Sequence, residues 1–484
     1  MIKLFSLFRA SRQWLLFIGL LTCTAANAAP PKNVIFILSD DHRYDFMSFM
    51  PQAPKFLKTP SLDKLAAEGM HIKNAFVTTS LCSPSRASIL TGRYAHHHGI
   101  VDNSSPIPQG TTFFPADLQQ AGYQTAFIGK WHMGEVDDQP QQGFNRWVSF
   151  RGQGQYVDPL LNIDGKQTQL QGYTTDILTD YAIDFMDQRK KDKPFFLYLS
   201  HKAVHAEFIP PERHAGEYAD VNIPYPKTMA NTESNYAGKP HWVRAQRDSW
   251  HGVDYAYHGD LKFDDFYKSY AETLLGVDDS VGRVMRYLKE HNLDKDTLVV
   301  YMGDNGFLLG EHGLIDKRNA YEESIRVPML AWAPGMIKAG QSTDTLVRNI
   351  DVAPTILELA HAKTDINMDG ESFLPILAGQ QKRKDDREFM YEYYWEHAFP
   401  HTPTTFALRG EQYKFIYYHG LWDKNELYDL QNDPQEKINL IDVPAYQDVR
   451  KQMRGRLFDR LEQDKAMKVP MRRGSWQAAE RLLD

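Results

Sequence analysis

Val34-Ile35-Phe36-Ile37-Leu38-Ser39-Asp40-Asp41 is an unbroken apolar run that ends in one hydroxyl and two carboxylates. A strand presents successive side chains to opposite faces, so such a run needs both faces covered. Thr297 to Met302 repeats the pattern and ends in Gly303-Asp304-Asn305-Gly306. Thr125–Ile128, Phe195–Leu199 and Val327–Trp332 are further runs of this kind. Helical periodicity fills the gaps at 61–69, 84–91, 115–121, 175–189, 265–291 and 351–360. Short apolar strands alternating with helices predict an α/β fold: a large, mostly parallel sheet flanked by helices on both faces. Polar residues gather just past the strand ends, the edge where open α/β sheets bind ligands.

The texture changes near residue 378. Gln380 to Arg387 is a charged linker, followed by strand patterns at 388–395, 404–409 and 413–419, with Gly410 at a turn. Glu426 to Leu430 reads as an edge strand and 444–464 as a helix. We therefore expect a main domain over 29–378 and a small C-terminal α+β domain with an antiparallel sheet over 379–484. Residues 212–262 are rich in Tyr, His, Pro, Asn and Trp, with weak periodicity, and read as a loop system near the site.

The first 28 residues read as a secretory signal peptide. Lys3, Arg9 and Arg12 give a positive start, Trp14–Leu21 is a short apolar run, and Ala26-Asn27-Ala28 suits cleavage. The competing readings are a retained anchor and a lipoprotein acylated at Cys23, which Thr22 fits poorly. A periplasmic or secreted protein without stable membrane insertion is expected. The net charge of −7 is spread over interspersed residues with no basic tract, which argues against nucleic acid.

Of two cysteines, Cys23 lies in the segment expected to be removed, so Cys82 is left as a lone thiol. It stands in Ser80-Leu81-Cys82-Ser83-Pro84-Ser85-Arg86-Ala87-Ser88-Ile89-Leu90-Thr91-Gly92. Ser83 suits an N-cap and Pro84 a first helical position, which places Cys82 just outside a helix N-terminus, where anions are favoured. Arg86 lies one turn in. Asp40, Asp41, Asp304 and Asn305 are hard oxygen donors of the kind Ca²⁺ or Mg²⁺ prefers, and zinc would want His or Cys among them. The bland alternative is a solvated strand terminus and a turn. For Asp40 and Asp41 to face one ion, the chain must leave strand geometry between them. Lys130 and His132 are two apart and share a strand face, with Trp131 pointing the other way. Substrate contacts are expected from His97 (within His96-His97-His98), Arg151, Gln153, His312, Arg318 and the stretch Trp395–Thr404. Glu322, Glu323 and Arg326 read as support around Lys317, and Arg409–Phe415 as sheet structure.

Cys82-Ser83-Pro84-Ser85-Arg86 with Ala87 to Gly92 resembles the signature of the formylglycine-dependent sulfatases, in their bacterial polysaccharide branch. Leu38–Asp41, Gly129-Lys130-Trp131-His132-Met133-Gly134, Gly303–Gly306, and Gly310-Glu311-His312-Gly313 with Lys317 resemble further motifs of that family. So does Glu426–Leu430 with Asn432-Asp433-Pro434.

The resemblance implies an alkaline-phosphatase-like sandwich and a sulfuric ester hydrolase. It implies that a formylglycine-generating enzyme oxidises Cys82 to an aldehyde, whose hydrate attacks sulfur. Ca²⁺, in preference to Mg²⁺, would be held by Asp40, Asp41, Asp304, Asn305 and the modified Cys82. Arg86, Lys130 and Lys317 would hold the sulfate. His205, with Lys317, would protonate the departing alcohol, with His201 as the competing histidine, and His132 would act as base. The implied substrate is a sulfated carbohydrate, an algal one such as ulvan or carrageenan being favoured over a glycosaminoglycan. A phosphate or phosphonate ester hydrolase and a non-catalytic sulfated-glycan binder are the other readings.

Overall fold

The computed structural model describes residues 32–134, 138–255, 262–380 and 388–470. The expected signal peptide, nearly all of the expected linker and the extreme C-terminus lie outside the described residues.

Ten strands form the main sheet: β1 (Asn33–Ser39), β2 (Met70–Phe76), β3 (Gln124–Lys130), β4 (Arg146–Phe150), β5 (Leu160–Ile163), β6 (Lys166–Gln169), β7 (Phe195–Ser200), β8 (Thr297–Gly303), β11 (Met329–Trp332) and β12 (Gln341–Arg348). Two short strands, β9 (Leu308–Leu309) and β10 (Ile315–Asp316), make a separate hairpin. The order across the main sheet is β12-β2-β11-β8-β1-β7-β3-β4-β5-β6. The stretch β8-β1-β7-β3-β4 is parallel throughout. Mixed pairing enters at the flanks, where β11 runs antiparallel to β8 and β2, and β5 to β4. The sequence located the parallel centre; β2, β12 and the β4-β5-β6 edge, shorter or more polar, carried weaker patterns.

Strand β1 shows why its run is unbroken. Ile35 and Ile37 enter one core with the helices Pro60–Glu68, Thr174–Gln188 and Phe263–Glu290. Val34, Phe36 and Leu38 enter a second core, on the opposite face, with the helices Cys82–Thr91, Pro115–Gln120 and Val352–Leu359. Strand β8 divides the same way, with Val299 and Tyr301 on the first face and Leu298, Val300 and Met302 on the second. Burying such side chains contributes about 1.5–3 kcal/mol each, which ties both helical layers to the central strands.

A second sheet, β13 (Glu388–Tyr393), β14 (Thr405–Gly410), β15 (Tyr413–Tyr418) and β16 (Glu426–Asp429), is antiparallel in chain order. The helix Gln447–Gln463 covers it through Met453, Leu457 and Leu461. Two buried ion pairs, Arg409 with Glu322 at 3.1 Å and Lys414 with Glu322 at 3.1 Å, join this sheet to the main body. Glu322 thus braces the C-terminal sheet rather than Lys317. Among the described residues no helix is long and apolar enough to cross a membrane.

Candidate active site

The site forms where β1, β3 and β8 end together. Asp41 leaves strand geometry with φ 54°, the break its carboxylate needs to turn toward the same point as that of Asp40. The Asp41 carbonyl accepts from the Tyr270 hydroxyl at 2.7 Å, and its N–H donates to Asp304 Oδ1 at 3.1 Å. Gly129, with φ 124°, precedes Lys130, and a Cβ there would fall 1.7 Å from the Ser200 carbonyl oxygen. Only glycine lets β3 approach β7 so closely beside the lysine.

Cys82 is the first residue of its helix and Leu81 the N-cap, so the helix begins two residues earlier than expected, and Cys82 lies inside it rather than just outside. Ser83 does not cap it: its hydroxyl donates to the His132 carbonyl, and its N–H donates to Asn103 Oδ1 at 3.1 Å. The competing acceptors come from other loops, which local cap chemistry does not register. Cys82 is fully buried, with Sγ 3.5 Å from Asp40 Oδ1 and 3.8 Å from Lys130 Nζ. Burial, with Asp40 adding, pushes the thiol up to about 12, so the encoded cysteine is no thiolate nucleophile at neutral pH.

Arg86 donates to the Lys130 carbonyl at 2.7 Å, to Ser200 Oγ at 2.6 Å and to Asp40 Oδ2 at 3.1 Å. It also lies 2.8 Å from Asp304 Oδ2 without hydrogen-bond alignment. Lys130 Nζ donates to Asp40 Oδ2 and, at 2.5 Å, to Gln153 Oε1. Gln153 Nε2 lies 3.4 Å from His132 Nε2, which couples the two residues that share the strand end. Lys317 Nζ donates to both Asp41 oxygens at 2.6 and 2.7 Å. His205 Nε2 stands 4.0 Å from Asp41 Oδ2, while its Nδ1 bonds the Ala206 carbonyl. His201 instead turns into the core against Ser280 Oγ at 3.0 Å, and only His205 lines the cavity.

Burial drives the electrostatics. It works to raise Asp40, but Lys130 and Arg86 outweigh it and hold that carboxyl well below the usual range. Burial pushes Asp41 up to about 7, with Lys317 opposing and Asp40 and Asp304 adding. Asp40, Asp41 and Asp304 bring carboxylate oxygens within 4.8 Å of one another. Asn305 Oδ1 is buried with no hydrogen-bond donor among the described residues. Three carboxylates converging out of solvent, beside an unpartnered amide oxygen, are the donor set of a hard divalent cation, and these residues fit one.

His205, Lys317 and Gln153, which flank the cluster, line a cavity of about 560 Å³. Gln153, Tyr156, Lys202, His205, Lys317 and Arg318 are among the residues that line it. Arg318 pairs with Asp316 at 2.7 Å and Glu396 at 2.9 Å and lies 3.9 Å over the Phe399 ring. Three expected substrate contacts do not line this cavity. His97 bridges Asp369 Oδ2 at 2.8 Å and the Asp464 carbonyl at 2.9 Å, tying the chain segment to the C-terminal region. Its neighbours are also engaged, His96 with Glu392 and His98 with Ser88. Arg151 projects outward, its side chain 64% exposed and 3.7 Å from Asp138. His312 is buried and stacked on Tyr321 at 4.1 Å. Tyr156, Lys202 and Trp250 were missed: they sit in loops, and no periodic or motif signal separated them from ordinary aromatic and basic residues.

This fold and donor set define a hydrolase of the alkaline-phosphatase-like type, with an anion-holding pocket beside a cation site. The sulfatase family model matches residues 32–362, and the model described as N-sulphoglucosamine sulphohydrolase, C-terminal, matches residues 310–463. The chain belongs to the sulfatase family and is a sulfuric ester hydrolase, a class that implies formylglycine and a divalent metal. It is similar to the N-acetylglucosamine-6-O-sulfatase of Bacteroides thetaiotaomicron, 34% identical over 87% of this chain and 84% of that one. The structure of BT4656 in complex with its substrate D-glucosamine-2-N,6-O-disulfate superposes with a TM-score of 0.83 and 31% identity, covering 91% of this chain and 99% of that one. The structure of Ps i-CgsB in complex with k-i-k-neocarrahexaose has a TM-score of 0.69 at 24% identity, covering 89% and 92%, and shows the fold alone.

Proposed function

We propose that this chain is an exported 6-O-sulfatase of glucosamine units, N-acetylated or N-sulfated, in a glycosaminoglycan or its oligosaccharides. The observation that carries it is the 34% identity to an N-acetylglucosamine-6-O-sulfatase over 87% of the chain. The structural relative bound to a disulfated glucosamine, at 31% identity, supports the same reading. The lean toward algal glycans is given up: its support among these relatives is a carrageenan complex at 24% identity, a likeness of fold.

In this reading Asp40, Asp41, Asp304 and Asn305 hold Ca²⁺, which supplies Lewis-acid charge stabilisation for a sulfuryl group. Cys82, converted by a formylglycine-generating enzyme, supplies a hydrated aldehyde as nucleophile, in place of a thiol that burial keeps neutral. Arg86, Lys130 and Lys317 bind the sulfate oxygens and neutralise charge as it develops. Lys130 and Lys317 lean on Asp40 and Asp41. With those carboxylates holding a divalent ion, Lys130 and Lys317 would be free to face the substrate. His205 Nδ1 is engaged by the Ala206 carbonyl, so Nε2 is the atom that faces the departing alcohol. Lys317 beside it carries the proton that oxygen needs. His132 is the base beside position 82, oriented by Gln153. Arg318, fixed by Asp316 and Glu396 over Phe399, is the sugar-contacting cation.

The experiment is sulfate release from a panel: N-acetylglucosamine 6-sulfate, glucosamine 2-N,6-O-disulfate, 4- and 6-sulfated N-acetylgalactosamine, carrageenan oligosaccharides and an aryl phosphonate. Intact mass confirms conversion of Cys82. Loss of the 6-O-sulfate from glucosamine is expected. Turnover confined to carrageenan or to the phosphonate would overturn the reading.

A further inference from the structure

Among the described residues, Lys202 is the one cavity cation the roles above leave unused. Around the cluster and its cavity, Arg86 and Lys130 pair with Asp40, Lys317 with Asp41, and Arg318 with Asp316 and Glu396. Lys202 has no carboxylate within ion-pair distance and no hydrogen-bond acceptor for its ammonium among the described residues; its ammonium sits over the Tyr156 ring, 4.6 Å from the ring centre. It is only 5% exposed, yet it lines the cavity.

The ammonium is held in place. Its backbone carbonyl accepts from the His205 N–H at 3.0 Å, in the turn that presents His205. Tyr156, under the ammonium, anchors its hydroxyl on the His205 carbonyl at 2.6 Å and stacks on Tyr173 at 6.0 Å. A buried ammonium without a counter-ion carries a desolvation penalty that an arriving anion relieves. The scissile sulfate is met first by cations that touch Asp40, Asp41 or Cys82; Lys202 feels the charge of these three but makes no hydrogen bond to any of them among the described residues. Burial lowers Lys202 to about 8, which leaves it protonated at neutral pH.

We infer that Lys202 binds a second anionic group of the sulfated sugar, so that this sulfatase prefers a doubly charged unit over a monosulfated one. The shared chemistry is an oxyanion presented to an ammonium above an aromatic ring; an N-sulfate on the same sugar and the carboxylate of an adjoining uronic acid both supply it. The inference rests on the glucosamine reading above and names the substrate more closely.

The test compares parent, Lys202→Met and Lys202→Arg, each converted at position 82 and loaded with Ca²⁺. The substrates are N-acetylglucosamine 6-sulfate, glucosamine 2-N,6-O-disulfate, and a disaccharide of N-acetylglucosamine 6-sulfate with a uronic acid. The charge-assisted contact predicts that Lys202→Met loses about tenfold or more in kcat/KM on one or both dianionic substrates and keeps the monosulfate rate, with Arg restoring part of the loss. Which dianionic substrate suffers identifies the source of the second anion. The comparison between substrates is internal to each variant, so a general folding defect does not imitate it. An equal loss on all three would make Lys202 a ligand of the scissile sulfate, and no loss on any would make it a packing residue; either overturns the inference. A parent that releases sulfate from none of the three defeats the glucosamine reading itself, and the inference with it.

Discussion

Two clusters of buried charge use the same residue types in opposite ways. At the ends of β1 and β8, Asp40, Asp41 and Asp304 converge, so like charges crowd one point and the cations sit around them. Where the C-terminal sheet meets the main body, sign alternates: Arg409 and Lys414 flank Glu322, and Lys414 reaches Glu436 at 2.6 Å. The first arrangement leaves Asp304 Oδ2 and Asn305 Oδ1 without donors among the described residues and lies beside a cavity. The second is satisfied among its own members and acts as a brace. Convergence of like charge, rather than burial of charge as such, marks the place that needs a cation.

The widest separation between the clusters comes from neutralising one member of each. Asp304→Asn lowers kcat for sulfate release by about 10³-fold or more, on the scale of losing a preorganised charge contact at a reacting centre. It leaves the metal-free protein no less stable, because a mutually repelling carboxylate is gone; a thermal melt in chelator checks this. Glu322→Ala does the reverse. It strands Arg409, leaves Lys414 with Glu436 as its remaining ion pair, and lowers unfolding free energy by about 3–5 kcal/mol in a urea titration, while kcat/KM of the folded enzyme is unchanged. Equal effects of the two substitutions on stability would erase the distinction.

Removing divalent ions probes the converging cluster alone. Chelation abolishes activity, and restoring Ca²⁺ at about 100 times its Kd returns about 2.7 kcal/mol of stability together with the rate. Asp304→Asn gains far less from added Ca²⁺ in the same melts.

The smallest effect concerns a buried histidine outside both clusters. Burial lowers His98 to about 3, and it accepts the Ile100 N–H at 3.1 Å on Nδ1. The unfolded chain takes up a proton below about 6.5 that the folded chain refuses, so stability falls as pH drops from there toward 3. The slope from this group approaches about 1.4 kcal/mol per pH unit well below 6.5. His98→Gln removes that increment, read as a shallower loss of the urea midpoint between pH 6.5 and 5.

Much of the site was legible before the fold. Hard-donor residues at strand ends and Cys82 beside Arg86 at a helix start follow from local geometry; Lys130 and His132 do not share a strand face, because β3 ends at Lys130 and His132 turns out of it with φ 48°. The structure brings these residues together. The readings that fell were contact assignments in loops. His97, Arg151 and His312 are residue types that often bind anions, yet one tethers the C-terminal region, one points to solvent and one stacks on Tyr321. Ser83 had the chemistry of a cap but found the His132 carbonyl instead. A local pattern records what a side chain can do, whereas its partner is set by whichever distant segment arrives beside it.

By itself, the sequence determined the alternation of covered strands and helices, the parallel centre and the candidate donor residues, because periodicity and donor chemistry are properties of short segments. Only the tertiary structure decided that Asp41 turns back toward Asp40, that His205 rather than His201 faces the cavity, and that Lys202 stands there without a carboxylate. Each of these depends on packing between residues far apart in the chain, and an electrostatic environment exists only once such residues have met.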